Sequence, residues 1–167
     1  MSALDRVRWQ GRSFGAVTDE YQVALRQTTA ADFEYCFGLH RGALGEYVEA
    51  IWGWDELDQR TRFQDAFDPA GTQVITVNGH DAGALNVAEA DGAVVLGRIE
   101  LDPAYQGRGI GGHIVGALVS EAASRGEDVV LEVLDVNTRA QAFYARLGFR
   151  ESGRPRKHRV EMRYTAP

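Results

Sequence analysis

A chain of 167 residues, 44% hydrophobic and 25% charged, has ordinary globular proportions and the length of one domain, which at that size buries about 70% of its unfolded surface. Eighteen basic residues against twenty-four acidic ones leave a net charge of −6, which argues against a nucleic-acid partner, because such binding draws its affinity from neutralising phosphates. No apolar run approaches the ~20 residues that span a bilayer, so no membrane partner is expected, and the single cysteine, Cys36, rules out an internal disulfide and a cysteine-cluster metal site.

Residues 1–19 mix Asp5, Arg6, Arg8 and Gly11 without an apolar stretch, so they read as a partly flexible N-terminal extension rather than a signal or transit peptide, and the expected location is cytoplasmic. A single domain is expected over 20–167. Tyr21 to Arg26 reads as the first strand, and Thr29 followed by Asp32 opens a helix with Phe33, Phe37, Leu44, Tyr47 and Val48 at helical spacing, which Gly38, Gly42 and Gly45 weaken. Cys36 stands in that stretch among aromatic residues and reads as a buried side chain. After Trp52-Gly53-Trp54, Asp55 caps a second helix running through Phe67, which Pro69 and Gly71 terminate.

Thr72 to Val77 is a strand, Asn78-Gly79 a hairpin turn into Ala82 to Val87, and Asp91-Gly92 a second hairpin turn into Ala93 to Leu101. A helix follows from about Gly109 to Ser124 with Ile110, Ile114, Leu118 and Ala122 on one stripe. Val129 to Leu134 is a strand, Thr138 to Leu147 a helix, and two short strands close the chain around Arg150 and over Val160 to Tyr164. This order predicts a mixed α/β fold on one sheet, with three antiparallel strands ahead of a glycine-rich turn.

That turn, Gln106-Gly107-Arg108-Gly109-Ile110-Gly111-Gly112, stands where the strand ending at Leu101 gives way to a helix. The first N–H groups of a helix have no intrahelical partner and the macrodipole adds positive potential, so such a turn can hold a pyrophosphate, and its glycines admit the phosphate close to the backbone. Read literally it also satisfies the dinucleotide pattern G-x-G-x-x-G, with Asp135 as a ribose ligand. The context disagrees, since Asp102 to Gln106 intervene after the strand, the preceding strands form hairpins, and too little chain remains for a doubly wound sheet.

Gln-x-x-Gly-x-Gly after a strand ending in Asp102-Pro103 resembles the acetyl-CoA loop of the GNAT superfamily of N-acyltransferases. Asn137-Thr138-Arg139-Ala140-Gln141-Ala142-Phe143-Tyr144-Ala145-Arg146-Leu147-Gly148-Phe149 is similar to that family's second signature, Asn-x-x-Ala-x-x-Phe-Tyr-x-x-x-Gly-Phe. The resemblance implies a single mixed, mostly antiparallel sheet flanked by helices, its central strands splayed around acyl-CoA, and acetyl-CoA as co-substrate with no metal. It places Gln106 to Gly112, Asn137, Phe143 and Tyr144 at the cofactor, with the backbones of Ile99 and Leu101 pairing with the pantetheine arm.

A primary amine with pKa near 10.4 is neutral in about one molecule in 2,500 at pH 7, a cost of about 4.6 kcal/mol, so a base is useful. Glu132 is the first candidate, because ribosomal-protein N-terminal acetyltransferases carry a base glutamate in a similar strand segment, and alternation puts it opposite Leu131 and Val133. Glu100 is the second, although it shares a strand face with Arg98 and reads equally as half of an ion pair. The histone-acetylating branch has its glutamate where Val95 stands here. Tyr144 matches the family's general acid, a phenol that is protonated at pH 7 and can donate to the leaving thiolate, or else it is ordinary helix packing. Asn137 reads equally as an N-cap for the helix at Thr138.

Acceptor residues in this fold come largely from the first two helices and the last strands, which offer Tyr47, Glu49, Trp52, Trp54, Asp55 and His158, with core packing an alternative for at least one tryptophan. His40, His80 and His113 have no partners at metal-ligand spacing. The reading is an N-acetyltransferase acting on a small-molecule or peptide amine by direct transfer, with a homodimer compatible with the resemblance. Its rivals are a non-catalytic acyl-CoA-binding domain and an NAD-type oxidoreductase.

Overall fold

A computed structural model describes residues 13–18 and 20–167. In chain order the elements are β1 (Ser13–Thr18), β2 (Tyr21–Gln27), α1 (Phe33–Trp52), α2 (Glu56–Ala66), β3 (Thr72–Val77), β4 (His80–Ala90), β5 (Ala93–Leu101), α3 (Ile110–Ser124), β6 (Val129–Leu134), α4 (Thr138–Arg146), β7 (Arg150–Gly153) and β8 (Arg159–Tyr164). Single 3-10 turns precede α1 at Ala30–Asp32 and follow β5 at Pro103–Tyr105. The strands run in the order β1-β2-β3-β4-β5-β6-β8-β7, with antiparallel ladders at β1–β2, β2–β3, β3–β4, β6–β8 and β7–β8 and a parallel one at β5–β6. This is the mixed, mostly antiparallel α/β sheet that the sequence implied.

The strand expected first is in fact second. β1 lies inside the segment expected to be a partly flexible extension, and its backbone pairs with β2 from Ser13↔Ala24 to Thr18↔Tyr21. Its sequence, Ser-Phe-Gly-Ala-Val-Thr, lacks an apolar/polar alternation and carries a glycine, so the period-2 signal is absent. The rest of the extension, residues 1–12 and 19, lies outside the described residues.

Local chemistry accounts for most boundaries. Asn78 and Gly79 (φ 50° and 79°) and Asp91 and Gly92 (φ 52° and 75°) take the left-handed angles that two-residue hairpins require. Asn78 also accepts from the Gln22 N–H and donates to the Glu20 carbonyl, both at 2.9 Å, which ties the first hairpin to β2. Thr29 and Asp32 form the capping box at the 3-10 turn that leads into α1, and Asp55 caps α2 by accepting from the Asp58 N–H at 2.8 Å. α1 continues through all three of its glycines to Trp52, because burial of Cys36, Phe37, Leu39 and Val48 outweighs their weak helix propensity.

By contacts the chain divides into two compact units, one holding the described residues up to Asn86 with Arg98–Ile110, the other Val87–Gly97 with Gly111–Pro167. The first unit is built on Cys36, Phe37, Leu39, Phe63 and Ala84, with Phe33, Tyr35, Trp54 and Phe67 packed against them. Its phenylalanines meet at centroid distances of 5.5 to 6.1 Å, arrangements worth about 0.5–1.5 kcal/mol each beyond their buried area. Burial pushes the Cys36 thiol up to about 11, so it is the inert buried side chain that its surroundings in the sequence suggested. In the second unit β6 alternates, with Val129, Leu131 and Val133 buried and Glu132 exposed, and pairs along its whole length with β8. The β5–β6 ladder covers only Val94↔Val129 and Val95↔Val130.

One close approach in the first unit admits only glycine. A Cβ on Gly83 of β4 would sit 2.4 Å from the Glu100 carbonyl oxygen and 3.2 Å from the Leu101 Cα of β5. Backbone atoms cannot yield as a side-chain tip can. Gly83→Ala is therefore expected to cost about 1–3 kcal/mol, read as a lower urea midpoint at unchanged slope; an unaltered midpoint would show that the strands part freely.

Candidate active site

The turn after β5 is assembled by a few short hydrogen bonds within the first unit. The Asp102 N–H donates to the Ala82 carbonyl at 2.8 Å, and its carboxylate accepts from the Ala104 N–H at 2.9 Å, starting the 3-10 turn in which Pro103 needs no donor. Gln106 braces the turn from inside, its side-chain amide donating to the Leu101 carbonyl at 2.9 Å. Gly107 and Gly109 adopt φ of 70° and 78°, the left-handed region that other residues reach at a cost of about 1–2 kcal/mol. Residues 106–109 are exposed, Ile110 is buried, and α3 begins there with Gly111 and Gly112 in its first turn.

The result is an exposed run of backbone at the positive end of a fifteen-residue helix, an arrangement suited to an anion. A Cβ on Gly107 or Gly112 would meet nothing within 4 Å, so the backbone there is open to a ligand. Arg108 supplies a full positive charge. Its guanidinium lies over the Tyr21 ring, 5.6 Å from the centroid, and donates to the Tyr21 hydroxyl at 2.5 Å. Sequence reading missed Tyr21, which lies 87 positions away.

Ile99 and Leu101, expected to offer their backbones to the pantetheine arm, are half-buried on β5, and Glu100 between them is buried at 7% exposure. The suspected pair with Arg98 is present, Nε to Oε1 at 3.0 Å, and His40 of α1 adds a contact that sequence reading missed, Nδ1 to Oε2 at 3.3 Å. Both side chains rest on Phe63 of α2, the Arg98 guanidinium 4.7 Å and the His40 ring 5.1 Å from its centroid. A signal existed, since His40 follows Cys36 by four positions and Phe37 by three and so shares the buried face of α1.

The acceptor candidates on α1 and the loop after it separate by environment. Trp52 is 56% exposed, whereas Trp54 packs on the aromatic core and donates its indole N–H to Glu56 at 2.8 Å. Trp54 is thus held by packing and a carboxylate. Tyr47 is half-buried, and Glu49 accepts from the Trp54 N–H at 2.5 Å.

In the second unit Asn137 caps α4, its side chain accepting from the Ala140 N–H at 3.0 Å. Phe143, Tyr144, Phe149 and Tyr164 follow one another at centroid distances of 5.1, 5.5 and 5.9 Å, with the Tyr144 side chain buried. Gly148 (φ 95°) lies against the Tyr164 ring, where a Cβ would come within 3.2 Å. Glu132 stands on the exposed face of β6 and accepts from Arg156 at 2.7 Å, so its charge already has a partner. His158 adopts φ 61°, a strained angle for a non-glycine residue, and its Nδ1 lies 3.4 Å from Asp135 Oδ2. The arginines and acids around Glu132 and His158 come from the β7–β8 hairpin and the end of β6, a grouping that chain order does not announce. Among the described residues no group of three His, Cys, Asp or Glu side chains is placed to hold a metal ion, and no helix is long and apolar enough to cross a membrane.

The profile of the acetyltransferase (GNAT) family matches residues 25–149. The chain belongs to that family. It is therefore of the acyltransferase class, and its fold is shared by solved structures of low sequence identity. One is the PaiA N-acetyltransferase from Thermoplasma acidophilum in complex with coenzyme A, 14% identical, with a TM-score of 0.68 over 86% of this chain and 98% of that one. Another is an acetyltransferase from Thermus thermophilus, 16% identical, TM-score 0.66, over 86% and 96%. The ribosomal-protein-S18-alanine N-acetyltransferase from Escherichia coli is 22% identical, TM-score 0.58, over 86% and 94%.

The cap at Asn137 is separable from any contact with a ligand. Asn137→Ala is expected to lower stability by about 1 kcal/mol, while Asn137→Asp, which keeps the acceptor oxygen, restores most of it in thermal melts. Equal melting of all three proteins would remove the capping role.

Proposed function

We propose that the protein moves an acetyl group from acetyl-CoA to a primary amine by direct transfer in a ternary complex. The observation that carries this reading is the turn at Gly107 and Gly109, left-handed, exposed and continuous with the start of α3. In support, a structural neighbour is described in complex with coenzyme A. The backbone of Gln106 to Gly112 and the Arg108 side chain hold the pyrophosphate, while the backbones of Ile99 and Leu101 align the pantetheine. The acceptor meets Tyr47, Trp52 and Trp54. Aromatic rings beside Glu49 and Glu56 suit a cation, as does the acidic surface.

Transfer then needs two proton movements. The amine must lose a proton before its lone pair can attack, and Glu132, whose carboxylate accepts from Arg156, is the first candidate for that role. The departing thiolate is better expelled when protonated, the role for Tyr144, whose ring is fixed between Phe143 and Phe149. Cys36 is buried with a raised thiol, so an acyl-enzyme through it is not invoked.

Two variants test the reading. Gly109→Ala forces a Cβ into the left-handed region and is expected to weaken coenzyme A binding about tenfold by calorimetry, matching 1–2 kcal/mol of strain, without loss of the fold. Tyr144→Phe is expected to lower kcat about a hundredfold, measured as thiol release, with coenzyme A affinity unchanged. Tight coenzyme A binding with no amine-dependent thiol release from the wild type would instead indicate a non-catalytic acyl-CoA-binding domain.

A further inference from the structure

Glu100 is an unusual group to bury. Its side chain is 6% exposed, and although Arg98 and His40 stand at ion-pair distance, neither of its oxygens has a hydrogen-bond partner among the described residues, and neither does His40 Nδ1. Leaving such groups unsatisfied costs about 1–3 kcal/mol each, more for charges. A purely structural ion pair would be expected to close these bonds. Arg98 Nε stands 3.0 Å from the other carboxylate oxygen, Oε1.

The geometry points to a different use: His40 and Glu100 form an imidazole–carboxylate dyad in which His40 Nε2 takes the proton from the acceptor amine. This rests on the acetyl-transfer reading above. Three observations converge on it. The buried ring nitrogen, Nδ1, lies 3.3 Å from Glu100 Oε2 without a closed hydrogen bond between them; with the proton on Nδ1, facing the carboxylate, Nε2 is left as the base. The Phe63 ring, tilted 36° to the imidazole with centroids 5.1 Å apart, packs against it and restrains its orientation. The cluster is open at its edges, with the Arg98 and His40 side chains 26% and 15% exposed, so the imidazole can meet a ligand while Glu100 stays dry. The dyad also lies on the strand segment, Ile99 to Leu101, that the reading assigns to the pantetheine.

Charged groups also stand on α1 and on the elements packed against it. β5 contributes Glu100 and Arg98, and α2 contributes Arg60, which is paired with Glu34 over the Phe33 and Phe37 rings. α1 itself carries Arg41, paired with Glu56 across to α2, and Cys36, whose raised thiol is neutral. Glu100 is the single carboxylate among the described residues at ion-pair distance from the imidazole.

In the step proposed, one N–H bond of the ammonium breaks and its proton moves to His40 Nε2. The freed lone pair attacks the thioester carbonyl, and the C–S bond breaks with its electron pair on sulfur. A second ammonium proton replaces the one that Tyr144 gives the thiolate, the amide keeps the third, and the imidazolium returns its proton to water. Nothing is oxidised or reduced. His40 is the catalytic residue and Glu100 the positioning one.

The test measures kcat against pH, with saturating acetyl-CoA and each of spermidine, ethanolamine and an alanyl dipeptide, in the wild type, His40→Asn and Glu100→Gln. The wild type is expected to lose activity in acid with unit slope. His40→Asn is expected to run about a hundredfold slower with that acid limb gone, and Glu100→Gln at least tenfold slower, both with coenzyme A affinity within twofold of wild type. A variant that melts lower but keeps the wild-type limb and rate overturns the dyad, leaving a structural ion pair. If His40→Asn does not fold, Glu100→Gln, which adds no volume, carries the same test. Failure of the wild type to acetylate any of the three amines overturns the transfer reading and this inference with it, whereas wild-type turnover with an unchanged limb in the variants overturns the dyad alone.

Discussion

Everything proposed for this chain depends on what happens to the backbone where β5 ends. The strand runs so close to β4 that only hydrogen fits at Gly83, and within a few residues the chain must reverse into α3. Asp102 and Gln106 hold the reversal by bonding to backbone on either side of it, and Gly107 and Gly109 supply left-handed angles that would strain any other residue. The exposed backbone that results is a consequence of this geometry rather than of any one side chain. That explains how a protein of net charge −6 can accommodate an anion without a basic surface.

The same economy governs the ionisable groups. Exposed pairs such as Arg62 with Asp58 contribute little, since water screens them. The pair at Glu100 is different because it is buried, and a buried carboxylate must be compensated or used. Its surroundings compensate by charge and distance but not by hydrogen-bond direction. That mismatch separates it from Arg26, which satisfies Asp32 and Asp81 with well-formed bonds and holds both carboxyls below the usual range.

Residues that a motif brings to notice often have a second occupation. Asn137 caps a helix, Gln106 braces a turn, and Tyr144 sits in a file of aromatic rings from Phe143 to Tyr164. These structural tasks do not compete with roles at a cofactor. They hold the side chains in fixed rotamers, which a site requires if its groups are to be in place before the ligand arrives. Trp54 shows the converse: its ring lies against the core and its N–H is taken by Glu56, while Trp52, two residues earlier, is left open to solvent.

Local signals made the elements legible in the sequence. Alternation marked β6, the 3.6-residue stripe marked α3, Asn-Gly and Asp-Gly marked the hairpins, and caps at Thr29, Asp55 and Asn137 marked helix starts, because each depends on residues a few positions apart. β1 escaped because its short sequence carries no period and its pairing with β2 is a matter of backbone. The glycine turn was legible too, for its chemistry is written in consecutive residues. Only the tertiary structure could bring His40 to Glu100, Arg108 to Tyr21 or Arg156 to Glu132, pairs separated by 60, 87 and 24 positions. Sequence determines which side chains face inward from each element; which charges then meet is decided by how the elements pack, and no periodicity within a single segment records that.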